Sequence, residues 1–145
     1  MLNIALIAHD KRKELMVQFC IAYCRILAKH KVCATAVTGK LVSEATGLEV
    51  DRLMSRTNGG SQQIASRIAN NEVDLLIYFR DTSRMSFNEG DDDMTLLRLC
   101  DVHNIPVATN IATAEVLVRA LERGDLDWRE IYNLSKKKPG DLFSE

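Results

Sequence analysis

The chain has 145 residues, 46% apolar and 27% charged, with a net charge of −1. This suits one domain with a single core and excludes the basic surface that nucleic acid requires. No run approaches the roughly 20 apolar residues of a membrane span, and the four cysteines (Cys20, Cys24, Cys33, Cys100) lie in apolar segments without a CxxC pair, so reduced thiols and no metal are expected.

Leu2 to Ala8 reads as a strand buried on both faces, because the apolar run lacks polar alternation. It ends at His9-Asp10 and has no basic flank, so it is not a leader and a cytoplasmic protein is expected. Asp10 is placed to cap the next helix, where Leu15, Phe19, Cys20, Tyr23, Ile26 and Leu27 recur at helical spacing to about Ala28. Val32 to Val37 reads as a strand ending at Thr38-Gly39, Lys40 to Ala45 as a short helix, and Val50 to Ser55 as an extended piece. Two glycines, Gly59 and Gly60, then open an amphipathic helix from Gln62 to Asn70, whose free N–H groups can face an anion such as phosphate. Val73 to Phe79 is the strongest strand. The polar stretch from Thr82 to Asp93 contains Gly90 and reads as a loop. Met94 to His103 reads as a helix, Ile105 to Ala108 as a short strand, and Ala112 to Glu122 as a helix stopped by Gly124. Trp128 to Leu134 reads as a last helix, closing a domain over 1–134, and 135–145 as a charged tail. Strands alternating with helices predict an α/β fold of three layers, a parallel sheet with helices on both faces.

Ligands of such folds bind at the carboxyl ends of the strands, and each predicted strand ends in polar residues. They are His9, Asp10 and Lys13; Thr35 and Thr38; Ser55, Gly59, Gly60 and Ser61; Asp81 and the acidic run up to Asp93; and Thr109-Asn110. A lysine, several hydroxyls and glycine-backed N–H groups together suit a phosphate monoester. Taken singly, each has a plainer reading: His9 as a structural hydrogen-bonding residue, Asp10 as a helix cap, Lys13 as a solvated surface lysine, the glycines as a tight turn, and Asp91, Asp92 and Asp93 as a solvated helix start.

The segments Ile4 to Asp10 with Lys13, Ala34 to Gly39, Gly59 to Ile64 and Asn104 to Glu115 resemble the methylglyoxal synthase family, and the likeness runs from Asn3 to Ile131. The resemblance implies a flavodoxin-like α/β fold, a homohexamer, and conversion of dihydroxyacetone phosphate to methylglyoxal and phosphate without metal or cofactor. It implies catalytic-site positions at His9, Asp10, Ser61, Asp91 and Asp92. It implies phosphate-site positions at Lys13, Thr35, Val37, Thr38, Ser55, Gly59 and Gly60 and at the backbone N–H of Arg56.

The sequence also departs from the family pattern. The family carries its catalytic aspartate directly after the double glycine, where this chain has Ser61. It carries a glycine and a second threonine where Ala36 and Val37 stand, a glycine-proline pair at Arg56-Thr57, and a histidine near Asn88 or Glu89. A serine hydroxyl is a poor base without a partner to take its proton. Two readings follow: a lyase of reduced or lost activity, with Asp10, Glu89, Asp91 or Asp92 replacing the base, or a silent phosphometabolite-binding module like the effector domains related to this family.

Overall fold

The computed structural model describes residues 1–84 and 87–131, with residue 84 and residues 87–92 described by their backbone alone. Five strands form one parallel sheet: β1 (Asn3–Ala8), β2 (Lys31–Ala34), β3 (Val50–Arg52), β4 (Leu75–Phe79) and β5 (Val107–Ala108). The helices between and after them are α1 (Lys13–Ala22), α2 (Cys24–Leu27), α3 (Ala36–Thr46), α4 (Gly60–Ala69), α5 (Phe87–Val102) and α6 (Ile111–Arg123).

The strand order is β3-β2-β1-β4-β5. This is a doubly wound order, 3-2-1-4-5, where a flavodoxin sheet runs 2-1-3-4-5. The connections reverse direction between β1 and β4, so a crevice opens there, above the carboxyl ends of the two central strands.

Those central strands are apolar from Ile4 to Ala8 and from Leu75 to Phe79 because both faces are covered. Ile4, Leu6, Ala8, Leu75, Ile77 and Phe79 meet Met16, Phe19 and Cys20 of α1, Val42 of α3 and Val118 and Leu121 of α6 on one face. Ala5, Ile7, Leu76 and Tyr78 meet Ile64 and Ile68 of α4 and Leu96 and Cys100 of α5 on the other. Full burial of one such side chain stabilises by about 1.5–3 kcal/mol, which outweighs strand-propensity differences of about 1 kcal/mol.

Three expected boundaries differ. The second strand stops at Ala34, and Ala36 to Gly39 form the first turn of α3 rather than a strand end. Thr35, still extended (φ −61°, ψ 156°), is the last residue before the helix: the Ala36 N–H bonds to the Met54 carbonyl, and the Gly39 N–H bonds back to the Thr35 carbonyl at 2.8 Å. Asp10 starts a 3₁₀ turn over Asp10–Arg12 and makes no capping bond, so α1 begins only at Lys13. The expected loop over 82–93 is a 3₁₀ turn (Thr82–Arg84) followed by the start of α5, since Asp93, Leu96 and Cys100 share one buried helical face. Residues 128–131 are helical as expected; the rest of that segment and the tail 135–145 lie outside the described residues.

Candidate functional site

Three loops meet at the carboxyl end of the sheet. The loop after β2 leads into α3, whose first residues are buried: Thr35 and Thr38 are 2% and 1% exposed. The Ala36 N–H bonds to the Met54 carbonyl at 3.2 Å, which ties this loop to the one after β3. The N–H groups of Val37 and Thr38 belong to the first turn and have no partner four residues back. The side chain of Val37 points to solvent, while the Thr38 Oγ1 is buried and has no partner among the described residues. An unpaired buried hydroxyl costs free energy that a ligand can recover.

The loop after β3 runs through a 3₁₀ turn (Arg56–Asn58) into α4. Gly59 adopts φ +105°, which favours glycine. Gly60 lies against the backbone of Met54 and Ser55, where a Cβ has no room. Its N–H is not free for an anion, because it bonds to the Ser55 carbonyl at 2.8 Å. The donors left at this helix start are the N–H groups of Ser61 and Gln62, as Gln63 bonds back to Gly59. Ser61 itself is buried in the first turn.

The third loop, after β1, carries His9, Asp10 and Lys13. Lys13 is half-buried, donates to the Ala8 carbonyl at 2.7 Å and faces Asp10 at 3.4 Å. Burial pulls its pKa below the ordinary lysine value; Asp10 opposes this, and the charge of Arg56 adds to it. The positive charge of Arg56 thus acts on both Lys13 and Tyr78.

His9 is buried and both its ring nitrogens are engaged. The Asp81 N–H donates to Nδ1 at 2.8 Å, which assigns the ring hydrogen to Nε2. Nε2 lies 3.2 Å from Tyr78 Oη and 3.7 Å from Asp93 Oδ1. The Tyr78 hydroxyl donates to Asp93 Oδ1, and Arg80 Nε donates to Asp93 Oδ2 at 3.1 Å. Burial, then the adjacent Asp93 carboxylate, pushes the Tyr78 hydroxyl pKa well up.

Sequence reasoning missed Tyr78 and Arg80, and named Asp93 only as part of the acidic run at the strand ends. The signals were a tyrosine inside an otherwise apolar buried strand and an aspartate in phase with Leu96 and Cys100. Asp81 is engaged with Ser83 through its backbone N–H (3.1 Å) and hydroxyl (2.6 Å). Asn110 caps α6 by accepting from the Thr113 N–H. Asp91 and Asp92 lie in the first part of α5; their side chains, like those of Asn88 and Glu89, lie outside the described ones.

Among the described residues no group of three or more His, Cys, Asp or Glu could hold a metal ion, and no helix is long and apolar enough to cross a membrane. A groove of about 980 Å³ opens elsewhere, along β3 and the amino ends of β1 and β2, and contains none of the rim residues above.

The sequence profile of the MGS-like domain matches residues 15–109. The chain is 61% identical over 137 residues to the methylglyoxal synthase of Caldicellulosiruptor saccharolyticus, covering 94% of this chain and 96% of that one. It is 51% identical over 139 residues to the methylglyoxal synthase of Oceanobacillus iheyensis, covering 96% and 99%. The crystal structure of methylglyoxal synthase from Elizabethkingia anophelis NUHP1 superimposes with a TM-score of 0.74 at 39% identity, covering 81% of this chain and 76% of that one.

Proposed function

The chain belongs to the methylglyoxal synthase family, and on that ground we propose that it converts dihydroxyacetone phosphate to methylglyoxal and inorganic phosphate. The observation that carries this reading is 61% identity across 94% of the chain to a methylglyoxal synthase. The geometry agrees with a phosphate cradle. Two helix starts offer N–H donors at Val37, Thr38, Ser61 and Gln62, the Thr38 hydroxyl waits unpaired, and Lys13 and Arg56 supply positive charge.

In the reaction a carboxylate takes a proton from the hydroxymethyl carbon next to the carbonyl. The enediolate pair of electrons then expels phosphate by breaking its C–O bond, and the enol left behind tautomerises to methylglyoxal. A phosphate gripped at both helix starts holds that C–O bond in one orientation, which favours elimination.

We assign the base to Asp10. Of the described carboxylates at the rim, Asp81 is engaged with Ser83 and Asp93 with Tyr78 and Arg80, whereas Asp10 presents an open face beside Lys13. Its side chain is 90% exposed, and water around a carboxylate weakens it as a base. Turnover is therefore slower than with an aspartate buried at position 61. By resemblance the protein assembles as a homohexamer.

The test is a colorimetric methylglyoxal assay on purified protein with dihydroxyacetone phosphate. Product that falls in Asp10→Asn supports the reading. Product no faster than the uncatalysed reaction, with phosphoglycolate still raising the melting temperature, would leave a silent phosphate-binding module instead.

A further inference from the structure

We propose that Tyr78 and Asp93 are positioning residues that hold His9 as a neutral imidazole with its hydrogen on Nε2, oriented for the reaction proposed above. This rests on that reaction only for the consequence in rate; the geometry stands without it. The Asp81 N–H fixes Nδ1 as an acceptor at 2.8 Å, so rotation of the ring would leave a buried donor unpaired. At the other side Nε2–H meets Tyr78 Oη at 3.2 Å, with the rings edge to face at 5.4 Å.

The Tyr78 hydroxyl has one hydrogen. It gives that hydrogen to Asp93 and therefore presents only lone pairs to His9. Asp93, wholly buried, is held from its far oxygen by Arg80 at 3.1 Å, which compensates its charge. The direction of every hydrogen in the chain from Asp81 N–H to Asp93 is thus set at both ends.

The arrangement uses five residues from the two central strand ends and α5, of which only Tyr78 also packs in the hydrophobic core. Three polar side chains packed under a site in a low-dielectric layer cost stability unless fully satisfied, and here each finds its partner. The 3.2 Å bond from Nε2 is at the long end of the normal range.

The test combines two readouts. Long-range ¹H–¹⁵N spectra of the wild-type protein report which ring nitrogen of His9 carries the hydrogen. The expected result is the Nε2–H form, with displaced His9 ring nitrogen shifts in both Tyr78→Phe and Asp93→Asn. Steady-state kinetics should show kcat reduced roughly 10- to 100-fold in each variant, the range for losing a partner that orients a functional histidine, with little change in KM. The double variant should lose no more than either single one, because both act through one chain of bonds.

A His9 ring with its hydrogen on Nδ1, or ring shifts unmoved by both substitutions, overturns the proposal whether or not the protein makes methylglyoxal. Unchanged kcat in both variants, in an enzyme that does turn over, also overturns it. If the wild type makes no methylglyoxal, the spectra alone decide: the Nε2–H form displaced in both variants supports the positioning role.

Discussion

Gly60 packs so closely on Met54 that a Cβ at position 60 would stand 2.3 Å from the Met54 carbonyl oxygen and 2.7 Å from that of Ser55. Both obstacles are backbone, so the α4 start must move to admit a methyl group. Gly60→Ala is expected to destabilise by about 1–3 kcal/mol and to weaken phosphoglycolate binding through displacement of the Ser61 and Gln62 N–H groups. Gly59→Ala meets no atom within 4 Å and costs only the strain of φ +105°, about 1–3 kcal/mol. Urea unfolding of both variants measures the two costs, and wild-type stability in Gly60→Ala would mean that the turn relaxes freely.

Ser61 occupies the first turn of α4, where the helix dipole favours an added carboxylate. Ser61→Asp therefore places a buried base beside the proposed phosphate site. It is expected to raise kcat by a factor of about 10² to 10⁴, the range for a general base. Ser61→Ala should change kcat little. A rate that does not rise in Ser61→Asp, measured by methylglyoxal formation, would argue that the site is incomplete in some other respect.

Lys13 should make phosphate binding decline at alkaline pH. Burial holds its pKa below the ordinary lysine value of about 10.4. The ammonium is present at neutral pH and is lost on raising the pH through that lowered value, so affinity for a phosphate dianion falls before an ordinary lysine would titrate. Lys13→Met should weaken phosphoglycolate binding by roughly ten- to a hundredfold, as for one hydrogen bond to a charged group. It should also flatten the alkaline limb. Calorimetric titration across pH 7 to 10 checks both, on an axis set by that reference value.

At the opposite end of the sheet, Arg129 is wholly buried and donates from Nε to Asp74 Oδ1 at 3.1 Å and from Nη1 to the Asn104 carbonyl at 2.6 Å. Asp74 Oδ2 in turn accepts the Asn3 N–H at 2.8 Å. Removing one member leaves a buried charge uncompensated, so Arg129→Met should cost about 3–5 kcal/mol. Phosphoglycolate affinity at a permissive temperature should stay unchanged, because the pair stands at the amino ends of the strands. A shifted affinity with intact folding would place Arg129 in the ligand site.

The layered fold was legible in the sequence because Ile4 to Ala8 and Leu75 to Phe79 are apolar runs whose burial dominates local preference. The rim was legible too, since parallel strands deliver their carboxyl ends to one side. The start of α3 was hidden because Thr35, Val37 and Thr38 favour strands locally, and only the tertiary bond from Ala36 to Met54 bends the chain there. The start of α5 was hidden because Gly90 and three aspartates suggest solvent, although Asp93 faces inward. The bond between Gly60 and Ser55 was likewise invisible, as spacing alone does not say which N–H groups a turn consumes.

His9 continues the odd-numbered phase of β1, and Ile7 two residues earlier sits opposite Tyr78. That parity is why the imidazole enters the layer shared with α4 and α5. Deleting one residue within β1 would move His9 into the position that Ala8 holds and swing the ring toward Phe79 and α1, among hydrocarbon with no acceptor for its hydrogen. The reading frame of a six-residue strand thus acts as an indexing device: it decides which side of the sheet the imidazole serves.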